Sequence, residues 1–242
     1  MGVNVSANVS AKLGVTSGAG LRTQLEAALA QMAISLTAGQ VSCLLDYVDL
    51  LLKWNKVYNL TAVRDPQEML THHLLDCLAA LPSLAGLLDR QLALQDGGGG
   101  PTRLLDVGSG AGLPGVVIAI CCPEVSVDCV DTVAKKAAFI NQAALALKLP
   151  NLRGLHQRVE IITSSQYQII SARAFASLPD IVQWTSGALA EGGVWMCMKG
   201  KTPDAEMAGL PKTVEVFHVE QLAVPGLDAS RCLVWMRKSV AV

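Results

Sequence analysis

Apolar residues in the first third of the chain recur at helical spacing. After Thr37, apolar positions repeat every three or four residues, which predicts an amphipathic helix. These positions are Val41, Leu44, Leu45, Val48, Leu51 and Leu52. Thr37 and Gln40 have the spacing of a capping box, and Asp65 followed by Pro66 is typical of a second helix start. The second helix continues through Leu70, Leu74, Leu78 and Leu81.

From residue 103 onward, short apolar strands alternate with helices. The predicted strands are 103–107, 125–131, 152–157, 169–173, 192–200, 214–224 and 231–237. The predicted helices are 113–122, 133–149 and 178–190. This alternation is typical of a doubly wound, mostly parallel α/β sheet with helices on both faces. In such a sheet a ligand binds at the carboxyl ends of the strands.

The change of pattern divides the chain into three parts. We expect a loose N-terminus over residues 1–20, a helical extension over 21–96 and an α/β domain over 97–242, with a glycine-rich linker near 95–102. Residues 1–20 lack the basic start and continuous apolar stretch of a signal peptide. The run Val107–Pro123 contains glycines and prolines, which argues against a membrane span. A cytoplasmic protein without membrane contact is therefore expected.

Composition narrows the choice of partners. Half of the 242 residues are hydrophobic, so the chain can build a sizeable core, but its net charge is only −1. Any nucleic-acid binding must therefore come from a local basic face. The seven cysteines include no Cys-x-x-Cys pair, so we expect free thiols and neither a disulfide framework nor a metal site.

The stretch LLDVGSGAGLPG, residues 104–115, places a glycine loop between a strand and a helix. Gly108 and Gly110 fit the dinucleotide pattern G-x-G-x-x-G, but Leu113 occupies its third glycine position. The pattern with Asp106 is instead D-x-G-x-G-x-G, which favours S-adenosylmethionine, with this carboxylate near the cationic methionine part. Asp131 ends the next strand and is suited to two ribose hydroxyls. A dinucleotide site and a tight turn without a ligand remain the alternatives.

Five motifs in order resemble the RsmG (GidB) family of bacterial small-subunit rRNA guanine-N7 methyltransferases. They are WNKVYNLTAVRDPQEMLTHHLLDCL, LLDVGSGAGLPG, VDTVAKKAAFI, SARAFASL and MKGK. The resemblance covers roughly residues 36–238. It implies a class I (Rossmann-like) S-adenosylmethionine-dependent methyltransferase domain behind a helical extension. It also implies transfer of one methyl group to N7 of a guanine in the decoding region of 16S rRNA.

The resemblance assigns roles to individual residues. It implies that the donor-binding residues include Gly108, Leu113, Asp131, Val159, Glu160 and Arg173, to which the glycine-loop pattern adds Asp106 and Gly110. Arg173 is the candidate catalytic residue, positioning the donor or the acceptor. His73 and Asp76 match the family's H-x-x-D. A buried, hydrogen-bonded pair that ties the extension to the domain explains these two residues at least as well as a catalytic role does. His72 and Cys77 depart from the arginine and serine that the family usually has there.

The expected chemistry requires no general base, since guanine N7 carries a lone pair and no proton. The enzyme then mainly holds donor and acceptor in line. Cys197 lies in an apolar strand and is expected in the core rather than as a nucleophile. Two other functions remain open, a small-molecule methyltransferase and a non-catalytic ribosome-binding factor.

Contact with 16S rRNA or the small ribosomal subunit is expected from a basic rim. Its candidates are Lys53, Lys56, Arg64, Lys199, Lys201 and Arg231, besides Arg173. Lys199 and Lys201 end the fifth predicted parallel strand, where a phosphate contact is favoured over a solvated turn. Trp54 and Tyr58 are expected to pack between helices rather than to stack on bases. For Arg173 the alternative to a role in the site is a structural ion pair with Asp106 or Asp131.

Overall fold

Helices precede a seven-stranded sheet in the computed structural model, which describes residues 18–94 and 100–239. The helices are α1 Gly18–Gln31, α2 Ala38–Tyr58, α3 Pro66–Met69, α4 Asp76–Leu78, α5 Leu81–Leu94, α6 Gly115–Cys121, α7 Ala134–Ala146, α8 Leu178–Thr185 and α9 Asp204–Ala208. The strands are β1 Arg103–Val107, β2 Ser126–Asp131, β3 Leu152–His156, β4 Tyr167–Arg173, β5 Leu189–Lys199, β6 Val214–Gln221 and β7 Cys232–Lys238. Of the loose segment expected over 1–20, residues 1–17 lie outside the described residues, as do residues 95–99 of the expected linker. The prediction is wrong for residues 18–20, which begin α1.

The extension has the helix starts that the sequence predicts. Thr37 and Gln40 form the capping box of α2, and the Asp65 carboxylate caps α3. The prediction of one helix from Pro66 to Leu81 is wrong in part. A π-helical turn, Leu70–Leu75, joins α3 to α4, and α4 ends at Leu78. Pro82 accounts for the break, because its ring would clash with the carbonyl four residues earlier.

The sheet has the order β3-β2-β1-β4-β5-β7-β6, with β7 antiparallel to both its neighbours. The strands β1 to β5 are parallel, so their carboxyl ends share one edge. The chain order reverses between β1 and β4, which is where such sheets bind ligands. The prediction of a helix over 178–190 is wrong at its end. Helix α8 stops at Thr185, and Leu189 already pairs with Tyr167 in the sheet.

The extension and the sheet domain share one buried core. A single cluster contains residues of α1 and α2 together with residues of β1, α6 and α7. The Gln40 side chain donates to the Cys121 carbonyl at 3.0 Å and so joins α2 to the end of α6. All seven cysteines are free, and Cys197 is fully buried as expected. Within residues 18–94 and 100–239, no helix combines the length and apolarity needed to cross a membrane.

Asp128, a buried acid on β2, links its strand to side chains of β3 and β4. Arg153 pairs with Asp128 through two hydrogen bonds of 2.9 Å, and the Tyr167 hydroxyl donates to Asp128 at 2.7 Å. Burial, followed by this hydrogen bond, raises the pKa of Tyr167 to about 12. Tyr167 begins β4, whereas the ligand-binding edge lies at its end. The network therefore stabilises the sheet away from the site.

We expect Tyr167→Phe to lower the free energy of unfolding by about 1–2 kcal/mol, because Asp128 loses one charge-assisted hydrogen bond. Urea unfolding measures the change, and the matched control is Tyr58→Phe at an exposed position. An effect as small as that of the control would contradict this assignment.

Candidate active site

The loop after β1 adopts a backbone that only glycine adopts readily. Gly108, Gly110 and Gly112 have φ of 64°, 59° and 91°. A Cβ on Gly108 would overlap the ring of Phe175. The Gly108 amide donates to the Val130 carbonyl at 3.0 Å, which ties the loop to β2. The loop therefore presents bare backbone at the ligand-binding edge.

Asp106 lies beneath this loop and not on a cavity wall. It is fully buried, and its carboxylate accepts from the Gly115 amide at 3.1 Å and from the Ser171 hydroxyl at 2.9 Å. Burial raises the pKa of Asp106 to about 6, although these hydrogen bonds oppose the rise. The expectation that this carboxylate faces a methionine group is not met in this structure. Asp106 instead holds the loop and the start of α6.

A cavity of about 510 Å³, here called the loop cavity, opens beside the glycine loop. The sequence-predicted residues on its wall are Gly108, Asp131, Val159 and Glu160. The Asp131 carboxylate accepts from the Gly110 amide at 3.0 Å and from the Val133 amide at 2.9 Å. Gly110 does not itself line the loop cavity, but its amide holds the Asp131 carboxylate, which does. Leu113 is buried away from the loop cavity.

Two aromatic residues of the loop cavity were not predicted from the sequence. Phe175 follows β4, and Trp184 lies on α8; both line the cavity. Their ring centroids are 5.7 Å apart, with the rings nearly perpendicular. The position of Phe175 just beyond a parallel strand was the signal that could have identified it. Together they form an aromatic part of the wall of the cavity that Asp131 also lines.

A second cavity of about 300 Å³, here called the arginine cavity, adjoins the first. Its lining residues are Asp76, Arg173, Ala174, Met198, Lys199, Gly200 and Arg231. Ala174 lines both cavities. Asp76 is buried and accepts from Arg173 at 3.0 Å and from Arg231 at 2.8 Å. The extension therefore supplies the carboxylate that holds both guanidinium groups.

The acidic partner of Arg173 is Asp76, so the alternatives of Asp106 and Asp131 are wrong. His73 and Asp76 do not form the expected pair either, since His73 Nε2 lies 2.7 Å from the Thr61 hydroxyl. Burial, and then the charge of Arg173, lowers the pKa of His73. The Arg173 Nε atom is buried and has no hydrogen-bond partner among the described residues.

The two departures from the family pattern lie in different environments. Cys77 is buried, and burial raises the pKa of its thiol to about 12. It therefore adds nothing to an RNA-facing surface. His72 is exposed, and its carbonyl accepts from Arg173 at 3.3 Å.

The basic residues expected to contact RNA fall into two groups. Lys53, Lys56, Arg64 and Lys201 are exposed. Lys199 and Arg231 are partly buried and are held by Glu206 and Asp76 respectively. Lys199 is therefore not a solvated turn residue, and its ammonium is already paired with a carboxylate.

The aromatic pair on α2 packs as expected. The Trp54 ring lies 5.5 Å from that of Phe139 on α7, which confirms its role in helix packing. Tyr58 lies 4.9 Å from Trp54 and keeps 42% of its surface exposed.

A larger groove of about 1220 Å³ continues outward from the arginine cavity. The two share Gly200 and Arg231. The groove runs between the end of α1 and the loop that joins β6 to β7, and it carries Lys201 on its wall. The arginine cavity is therefore open to an extended ligand. Among the described residues, no cluster of three or more His, Cys, Asp or Glu side chains could hold a metal ion.

The strand order with an antiparallel seventh strand, and a ligand-sized cavity at the glycine loop, define an α/β protein of the class I methyltransferase type. The expected fold class is confirmed. The model of the rRNA small subunit methyltransferase G family matches residues 40–234. The chain belongs to this family, as the resemblance implied.

The two relatives from Polaromonas agree with this assignment. The chain is 67% identical to the "Ribosomal RNA small subunit methyltransferase G" of Polaromonas sp. (strain JS666 / ATCC BAA-500), over 90% of this chain and 94% of that protein. It is 61% identical to the protein of the same name from Polaromonas naphthalenivorans (strain CJ2), over 90% and 96%. A solved structure, TrmN from Thermus thermophilus, is 21% identical over 62% of this chain and 48% of that chain, with a TM-score of 0.48.

Replacement of Asp106 by asparagine should change how stability depends on pH. The wild-type carboxyl has a pKa of about 6 in the folded state and 3.8 as its ordinary value. The folded state therefore binds more protons between these values, and wild-type stability falls as pH rises through that window. The asparagine side chain does not titrate. As the pH rises from 4 to 7, we expect the free energy of unfolding of the Asp106→Asn variant to increase by about 3 kcal/mol relative to that of the wild type.

Urea unfolding at a series of pH values measures this difference. Asp89→Asn, at an exposed position on α5, is the matched control and should show no comparable trend. A constant difference between the Asp106 variant and the wild type over this pH range would exclude a raised pKa for Asp106.

Proposed function

We propose that this protein transfers the methyl group of S-adenosylmethionine to N7 of one guanine in the 16S rRNA of the small ribosomal subunit. The observation that carries the proposal is the pair of cavities that meet at Ala174 in a chain of this family. The loop cavity is the donor side, and the arginine cavity is the acceptor side. Methyl transfer needs two such sites in contact, because the methyl group passes directly between the reactants.

The residues of the loop cavity fit S-adenosylmethionine. Its volume of about 510 Å³ falls among those of small-molecule sites, which are roughly 300–1,000 Å³. The Asp131 carboxylate is an acceptor suited to ribose hydroxyls, and the rings of Phe175 and Trp184 offer aromatic surface to a base. Val159 and Glu160 lie on the same wall, where the family resemblance puts the adenine. When bound, S-adenosylmethionine supplies an electrophilic methyl group on a sulfonium.

The arginine cavity fits an acceptor that has to be oriented rather than deprotonated. Guanine N7 attacks with its lone pair and releases no proton, so no side chain has to act as a general base. Arg173 lines the arginine cavity, where Asp76 holds its guanidinium in place. Holding the reactants in line contributes roughly 7–11 kcal/mol in favourable cases.

Exposed cations support an RNA partner. Lys53, Lys56, Arg64 and Lys201 are accessible to phosphates, and the groove beside the arginine cavity gives space for nucleotides that flank the target. Phosphate contacts of this kind make binding fall with salt.

Methylation in vitro tests the proposal. The purified protein is mixed with methyl-labelled S-adenosylmethionine and with either naked 16S rRNA or small subunits from cells that lack the gene. The RNA is then digested, and the labelled nucleoside is identified by mass spectrometry. We expect 7-methylguanosine at one site, and no incorporation into RNA from cells that carry the gene.

The other outcomes separate the alternatives. Donor binding without labelling of either RNA, or turnover of a small molecule that is insensitive to salt, would favour a small-molecule methyltransferase. RNA binding with no affinity for the donor would favour a non-catalytic ribosome-binding factor.

Arg173→Ala should abolish most of the transfer while the protein stays folded. Asp76 keeps Arg231 as its partner, so no carboxylate is left unpaired. We expect kcat to fall by at least about 100-fold, which corresponds to about 2.7 kcal/mol. Single-turnover assays measure the loss, and calorimetry with S-adenosylmethionine should give an unchanged Kd. Wild-type turnover by this variant would remove Arg173 from the catalytic machinery.

A further inference from the structure

Ala174 and Phe175 line the cavities and belong to the segment 174–178 that follows β4, and this segment needs support. Ala174 lines both cavities and has a φ of 51°, a left-handed conformation that non-glycine residues rarely adopt. Phe175 follows, with its ring packed over Gly108. A short loop with an unusual backbone keeps such a shape only when its surroundings hold it.

Two side chains from other elements hold the backbone of this segment. The Lys199 ammonium, at the end of β5, donates to the Ala176 carbonyl at 2.7 Å. The Glu206 carboxylate, on α9, accepts from the Leu178 amide at 2.7 Å, the first amide of α8. Lys199 and Glu206 also pair with each other at 2.8 Å. Together these contacts fix the backbone on the far side of Phe175.

The position of Lys199 argues against the phosphate contact that its place in the sequence suggests. Only 16% of its side chain is exposed, and two of the three ammonium donors already have acceptors. A phosphate contact would require the ammonium to leave both of them. Lys201, two residues further, is exposed.

We propose that Lys199 and Glu206 are positioning residues that act through residues 174–178, and that they hold the Phe175 ring against the methyl-donor cavity. The inference rests on the proposed function for the identity of that donor. Neither side chain has to touch the donor. The carbonyl of Ala176 and the amide of Leu178 transmit their effect to Phe175.

Donor binding and RNA binding, measured separately, test the inference. We expect Lys199→Met to weaken S-adenosylmethionine binding, measured by calorimetry without RNA, by about tenfold, the loss expected for one charge-assisted hydrogen bond. Glu206→Gln should weaken it in the same direction but less, since the amide oxygen still accepts from Leu178. Lys199→Arg should restore most of the affinity. The matched control Lys212→Met, at an exposed position, should bind the donor as the wild type does.

The effects on RNA separate positioning from phosphate contact. Under the proposal, neither variant changes how the KM for small subunits depends on salt, because neither side chain contacts a phosphate. A phosphate contact predicts the reverse: Lys199→Met would reduce the salt slope by about one and leave donor binding intact. Glu206→Gln would then tighten RNA binding, because a carboxylate near the phosphate loses its charge. Either result overturns the proposal.

A purely structural role is also distinguishable. It predicts lower urea midpoints for both variants with unchanged donor Kd, and that result overturns the proposal. If Lys199→Met does not fold, Glu206→Gln decides, because its amide oxygen can still accept from both Lys199 and Leu178. If the wild-type protein does not bind S-adenosylmethionine at all, the proposed function itself fails, and the variants play no part in that conclusion.

Discussion

The buried carboxylate of Asp106 is the interaction on which the site depends. It accepts from Gly115 at the start of α6 and from Ser171 on β4, and the Asp106 carbonyl accepts from the hydroxyl of Ser109 in the loop. A Cβ on Gly115 would overlap the Cys129 sulfur and stand 3.0 Å from the carboxylate, so glycine is required at this position. Two strands, a loop and a helix therefore meet at one charge, whose burial is tolerated only because these donors surround it.

The helical extension takes part in the site from two directions. On α2, Tyr47 is buried and donates to the Ala111 carbonyl at 2.7 Å, which supports the glycine loop from behind. From α4, Asp76 reaches Arg173 on β4 and Arg231 beside β7. Because both contacts are buried or nearly so, the arrangement of the loop and of the arginines depends on how the extension packs. The extension is thus part of the architecture of both cavities.

Residues placed by the ends of the strands were predicted from the sequence, whereas side-chain contacts between distant segments were not. Gly108 and Asp131 converge because parallel strands bring their carboxyl ends to one edge, so spacing along the chain is sufficient. The partner of a charged side chain in an ion pair does not follow from spacing along the chain. Arg173 pairs with Asp76, 97 residues away, among 20 acidic residues that no local pattern ranks. Phe175 lies in a loop without periodicity, so its ring direction follows only from the folded backbone.

The proposed reaction at guanine N7 depends mainly on geometry, because the acceptor has no proton to remove. The ionisable groups around the arginine cavity are accordingly paired with each other: Asp76 with two arginines, and Lys199 with Glu206. Arg173 and Phe175 are two residues apart on one segment, one facing each cavity. The sheet and Asp76 hold Arg173, whereas Lys199 and Glu206 hold the backbone that follows Phe175. The relative position of the two side chains, on which in-line transfer depends, therefore rests on both sets of contacts.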